Sequence, residues 1–267
     1  MKKILSVLVL VLFGVLLVSC NTKSEKDINV GVSFYPMKDI LHLIEDDVKE
    51  AGYNLVINEF SDYQTVNNSL LHGELDANMI QHEYFLNAFN SANNANLKIV
   101  APIYHATFAL YSKDYDSLDE IPNGATITLP DDATNLSRAI YLLAQAELIT
   151  LKGDKTTELT LDDIETNPKE LDLTDQVPLT TLANRYLETE LAIMYPTYAR
   201  SLNLEGNAER LYVEKQDDVT PGYAISIAVS NEDKDSAKIK LLIDLVQTEK
   251  VRQFLIENYS WASSPAF

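Results

Sequence analysis

Apolar positions along this chain fall into two alternating rhythms, one of period two and one of three to four. Residues 28–34 (INVGVSF) read as a strand. Residues 36–52 open on Pro36, close on Gly52, and put Met37, Ile40, Leu41, Ile44 and Val48 on one helical face. Residues 53–60 (YNLVINEF) form the next strand. A strand, a helix and a strand in that order make a βαβ unit, which predicts a parallel sheet with right-handed crossovers.

The alternation continues with a helix near 63–71, a strand at 75–80 and a helix at about 83–92. Residues 97–112 then form a long β-rich passage. A second βα series begins at 124–129 and runs through a helix, residues 171–177, a helix near 179–188, a strand at 190–195 and a helix near 196–202. A strand at 222–230 and one or two amphipathic helices over 236–259 complete the chain. Two βα series separated by long β passages predict two α/β lobes with a ligand cleft between them, at the carboxyl ends of strands. The same pattern also fits one doubly wound sheet.

One position breaks the local rules. In LPDDATNLSRAIYLL (129–143) Asp132 or Thr134 can cap a helix, and the spacing puts Arg138 in its first turn. A helix N-terminus already favours anions, so a cation there is out of place. It is either a solvated partner of Asp131 or Asp132, or a clamp whose guanidinium and helix amides together receive a carboxylate.

The N-terminus changes the picture of where the protein resides. Lys2 and Lys3 precede an almost wholly apolar run over 4–18, shorter than the roughly 20 residues of a spanning helix. It ends in Leu17-Val18-Ser19-Cys20, which resembles a bacterial lipobox. That resemblance implies a signal peptide over 1–19 and lipidation at Cys20; an uncleaved membrane anchor is the competing reading. Cys20 is the single cysteine, so no internal disulfide forms. Residues 20–27 are polar after the cysteine and suit a lipidated tether.

The formal net charge is −19 and becomes more negative when Lys2 and Lys3 leave. Such acidity argues against nucleic acid and against a polybasic grip on a membrane. Only 8 glycines are present, and no nucleophile elbow, P-loop, dinucleotide fingerprint or zinc-protease motif occurs. His42, His72, His82 and His105 lack chelating spacing, so no metal or cofactor is expected; the one combination left is His82 and His105 with a carboxylate. His42 reads as a surface residue and His72 as a helix end. In SDYQTVNNSLLHGELDANMIQHEYF (61–85), Tyr63, Asn67, Gln81, His82 and Tyr84 fall where loops present side chains to a cleft. Aromatic and amide groups there suit a small polar ligand, while Phe85 reads as packing.

Several motifs in order carry a wider resemblance, covering about 30–259. "DY…N", "GELDAN", "QH-Y", "SLDE-P-GATI" and "TN--RA" together resemble the methionine-binding lipoproteins of the NlpA type. The resemblance implies a two-lobed type II periplasmic-binding-protein fold, with 28–108 and 225–267 in one lobe and 109–224 in the other. It further implies a monomeric, lipid-anchored extracytoplasmic solute-binding protein that delivers an amino acid or short peptide to an ABC permease and its ATPase, with no bond made or broken. By the same resemblance Arg138 binds the ligand carboxylate, Asn135 stands beside it in "TN--RA", and Tyr63, His82 and Tyr84 help wall the pocket.

Departures from the family pattern are as informative. "INGNYA" has become MYPTYA (194–199), placing Tyr195, Pro196 and Thr197 where two asparagines and a glycine stand. "YANVIAV" has become YAISIAV (223–229), placing Ile225 where an asparagine stands. These asparagines hold the amino-acid head group in the family, so a pocket lined by Tyr195, Thr197 and Ile225 keeps the carboxylate site and rewrites the rest. The alternative reading is a surface lipoprotein whose pocket no longer binds and which acts as an adhesin or antigen.

Overall fold

A computed structural model of the chain describes residues 24–33, 35–204 and 209–267. The expected signal peptide, Cys20 and the first part of the expected tether lie outside the described residues.

The two rhythms become two separate sheets. The first has six strands: β1 (Asp27–Val32), β2 (Asn54–Glu59), β3 (Ala77–Gln81), β4 (Leu97–Ala106), β12 (Ala224–Ser230) and β13 (Ser263–Pro265), in the spatial order β13-β4-β12-β3-β1-β2. The second has five: β5 (Ala109–Ser112), β6 (Ile127–Pro130), β9 (Gln176–Val177), β10 (Leu191–Met194) and β11 (Arg210–Val213), in the order β11-β5-β10-β6-β9. A two-stranded ribbon joins β7 (Thr150–Leu151) to β8 (Ile164–Thr166). The two sheets decide against a single doubly wound sheet. The β-rich passage at 97–112 divides at Thr107 and Phe108, where the chain leaves the first sheet for the second, and it returns between Val213 and Ala224.

The first βαβ unit forms as its pattern dictates. Helix α1 (Met37–Glu50) buries Met37, Ile40, Leu41, Ile44 and Val48, and β1 pairs in parallel with β2 and β3. Gly31 in β1 has a packing reason: a Cβ there would stand 2.7 Å from side-chain carbons of both Leu75 and Val66. The C-terminal helical region splits into α7 (Ala237–Val246) and α8 (Glu249–Tyr259), and Thr248 caps the second by accepting the Val251 amide.

Other expectations shift by a turn. The helix near 63–71 begins only at Val66, after a turn in which the Asp62 side chain accepts the Gln64 amide. Over 171–177 only Gln176–Val177 is a strand. Pro178 then opens a 3₁₀ turn over Leu179–Thr181 ahead of α5 (Leu182–Glu188).

Helix α4 (Ala133–Gln145) is capped by Asp132, whose side chain accepts the Asn135 amide at 3.0 Å. Thr134 does not cap; it donates to the same carboxylate. Because Ala133 is the first helical residue, Arg138 lies in the second turn rather than the first. The dipole conflict at its backbone therefore largely disappears, since that effect fades beyond the first turn.

A candidate solute-binding cavity

Three strand ends converge on a cavity between the sheets. β3 ends at Gln81 and delivers His82; β6 ends at Pro130 and delivers Asp132 and Asn135; β10 ends at Met194 and delivers Tyr195. The cavity is small, about 50 Å³, and its wall includes Tyr63, His82, Asn135, Tyr195, Thr197 and Ile225. Tyr35, Ile80, Phe85, Tyr104 and Tyr198 complete most of the remaining wall. The sequence reading singles out neither Tyr35 nor Tyr198, and it reads Phe85 as packing. A mostly aromatic rim assembled from separate segments leaves no local signature.

Arg138 does not line this cavity; it lies behind Tyr195. Its side chain is 1% exposed, yet four of its five N–H donors have partners. Nε donates to Glu214 Oε1 at 2.8 Å and Nη2 to Glu214 Oε2 at 2.6 Å, a bidentate fork. Nη2 also donates to the Ala106 carbonyl at 3.1 Å and Nη1 to the Tyr195 hydroxyl at 2.9 Å. Phe108 and Tyr223 stack on the guanidinium, with its central carbon 4.9 and 4.5 Å from the ring centroids. Burial opposes the charge, but the carboxylate of Glu214 outweighs it and holds the guanidinium pKa above its ordinary value. The partner of Arg138 in this structure is therefore Glu214, and not Asp131 or Asp132.

Tyr195 links this buried pair to the cavity. Its hydroxyl accepts from Arg138 and donates to Asn135 Oδ1 at 2.6 Å. Burial pushes its phenol up to about 12, so it stays neutral. Asn135 in turn donates through Nδ2 to both oxygens of Asp132. On the opposite side of the cleft the Tyr63 hydroxyl donates to Asp132 Oδ2 at 3.1 Å.

His82 is 3% exposed and caps helix α3 (Glu83–Asn93), its Nδ1 accepting the Phe85 amide at 3.1 Å. An accepting Nδ1 carries no proton, so the neutral ring holds its proton on Nε2. That Nε2 is buried and has no hydrogen-bond partner among the described residues. Burial first, and the Arg138 charge second, lower its pKa to about 3, with the Asn135 side chain pulling the other way.

The other expected residues divide. Thr197 lines the cavity and donates to the Tyr35 carbonyl across the cleft at 3.1 Å, and Ile225 presents a hydrocarbon face. Tyr84 is absent from the wall: its hydroxyl donates to the Val219 carbonyl and its ring packs on Tyr223, with centroids 4.6 Å apart. Asn67 and Gln81 are tied together with Asn78 in a buried amide cluster, so Gln81 reaches the wall with its amide already engaged.

Among the described residues no group of three His, Cys, Asp or Glu side chains is placed to hold a metal ion. Nor, among them, is any helix long and apolar enough to cross a membrane.

Known proteins share this arrangement of lobes. The model of the NlpA lipoprotein family matches residues 28–267. The chain is 32% identical to the methionine-binding lipoprotein MetQ of Bacillus subtilis over 99% of both chains. A crystal structure of a putative methionine-binding lipoprotein from Bacillus subtilis superposes with a TM-score of 0.85 at 33% identity, covering 90% of this chain and 98% of that one. A nutrient-binding protein from Burkholderia cenocepacia bound to methionine gives 0.83 at 29% identity, covering 90% of this chain and 100% of that one. With its two lobes, its interlobe cavity and a match over the whole folded region, this chain belongs to the NlpA lipoprotein family, a family of solute-binding lipoproteins.

Proposed function

We propose that this chain is a lipid-anchored, extracytoplasmic solute-binding protein of an ABC importer, tethered through Cys20 and acting as a monomer. It captures an amino-acid-sized molecule by its carboxylate in the cleft between the lobes and hands it to a permease driven by a cytoplasmic ATPase. The observation that carries this reading is the unpartnered Nε2–H of His82 in the cavity wall, a buried donor that lacks an acceptor. A ligand carboxylate supplies that acceptor.

The pocket residues divide the work. Arg138, one layer back, adds to the burial that keeps His82 neutral and fixes the Tyr195 hydroxyl. Asn135, Tyr63 and Thr197 shape the cleft, and Tyr84 braces the helix that carries His82. Among the side-chain hydrogen bonds that reach across from one lobe to the other lobe or its connecting segment are Tyr63 to Asp132, Thr197 to Tyr35, and Tyr84 to Val219. Lobe opening breaks these contacts, so entry and release follow a hinge motion.

Calorimetry and thermal denaturation of the detergent-solubilised lipoprotein, with and without small carboxylates, test the proposal. A ligand at a hundredfold excess over its Kd adds about 2.7 kcal/mol of stability. The second reading, a surface lipoprotein that binds no solute, draws on the roughly 50 Å³ cavity and the internally paired Arg138. Absence of any ligand-induced stabilisation decides for it.

A further inference from the structure

Helix α6 (Pro196–Arg200) makes a contact between the lobes outside the cavity. It follows β10 of the second sheet, and Thr197 and Arg200, three residues apart, leave it on one side. Both reach Tyr35, in the turn between β1 and α1 of the first lobe. Thr197 donates to the Tyr35 carbonyl, and the Arg200 guanidinium lies over the Tyr35 ring, its central carbon 4.6 Å from the centroid.

Tyr259, at the end of α8, meets the same arginine. Its hydroxyl donates to Asp39 Oδ2. Burial, then Asp39, push the Tyr259 phenol up to about 12, while a hydrogen bond and the charge of Arg200 act in the opposite sense. One cation of the second lobe thus engages two aromatic side chains of the first.

These three residues stand at a boundary. On the inner side, Tyr35, Arg200 and Tyr259 line a crevice that shares Tyr35, Tyr104, Ala106 and Thr197 with the wall of the binding cavity. On the outer side the same three line an open groove together with Asp39 and Phe254. Arg200 is absent from the cavity wall itself, so a solute held there does not touch it.

We infer that Arg200 and Tyr35 form a latch that holds the lobes closed over a bound solute and so governs its release. The inference rests on the solute-binding reading and adds a positioning residue to it: Arg200 acts through the contact between lobes. A contact made only once the lobes have met slows dissociation and leaves association nearly unchanged.

Two measurements on the full lipoprotein in detergent micelles test the latch. Trp261 is the single tryptophan and lines the crevice beside Arg200, so its fluorescence reports on this contact. In stopped-flow mixing with L-methionine as the probe, Arg200→Ala is expected to release the probe about three- to tenfold faster, with association within about twofold of wild type. Arg200→Lys, which keeps a cation over the ring, is expected to recover part of the difference. In a Tyr35→Ala background, Arg200→Ala is expected to accelerate release less than it does in wild type. The second measurement needs no ligand. Electron–electron resonance between nitroxides at Glu50→Cys in α1 and Asn184→Cys in α5 is expected to show a longer distance population in Arg200→Ala, at an unchanged melting temperature. Unchanged distances would overturn the latch, as would release at the wild-type rate. Association and release accelerated alike would also overturn it, because a passive plug behaves that way. Strict additivity with Tyr35→Ala would overturn the ring as the partner. A wild-type protein that gives no response to L-methionine counts against the solute-binding reading, while the distances still decide the latch.

Discussion

Arg138 and Glu214 form a bidentate ion pair in which both side chains are 1% exposed, joined across a sequence separation of 76 residues. The pair ties helix α4 to strand β11 and its following loop. Removing one partner leaves an uncompensated buried charge, which costs about 3–5 kcal/mol. Arg138→Ala and Glu214→Ala are each expected to lower the unfolding free energy by that order in urea titrations. The double variant is expected to be less destabilised than the sum of the two. Strict additivity would show that the two charges do not depend on each other.

His82 predicts an acid-sensitive contribution to stability. Its pKa is about 3 in the folded protein against an ordinary value of 6.5, so between those values the unfolded chain binds the extra proton. Stability therefore rises with pH across that window, by about 1.4 kcal/mol per pH unit from this group alone. As pH falls from 6.5 towards 3 the wild-type protein is expected to lose stability more steeply than His82→Phe. Parallel pH profiles of the two proteins would exclude the buried neutral ring as the cause.

How much of this was legible in the sequence depends on whether the cause was local. The buried face of α1 was readable because Met37, Ile40, Leu41, Ile44 and Val48 repeat at helical spacing within one segment. His82 stood out because it follows a strand and begins a helix, although its proton position depends on a backbone amide three residues on. Glu214 was invisible. It follows a four-residue strand with an irregular register, and its role exists only because tertiary structure brings Arg138 to it. The same holds for Tyr84, whose wall position in the family pattern gives way here to a contact with Val219.

Tyr195 and Ile225 are the positions at which ligand choice should be most easily changed. Asparagine at each adds a carbonyl acceptor to the wall, and loss of the Tyr195 ring enlarges the cavity. One or two new hydrogen bonds to an ammonium are worth about 1–3 kcal/mol, or roughly tenfold to a hundredfold in affinity. The double variant Tyr195→Asn, Ile225→Asn is expected to bind methionine at least tenfold more tightly than wild type by calorimetry. Unchanged methionine affinity would show that these two side chains do not limit methionine binding.

Gly222 sets the position of Tyr84. It sits in the 3₁₀ turn Thr220–Tyr223, and a Cβ there would lie 2.5 Å from ring carbons of Tyr84 and 2.6 Å from its hydroxyl. Gly222→Ala must therefore push the ring aside, breaking its bond to the Val219 carbonyl and disturbing its packing on Tyr223. Overpacking of this kind costs about 1–3 kcal/mol. Combining Gly222→Ala with Tyr84→Ala removes the obstructing ring, so the second substitution is expected to cost less in the alanine background than in wild type. A double-mutant cycle with a coupling near zero would mean that the turn, rather than Tyr84, absorbs the added methyl group.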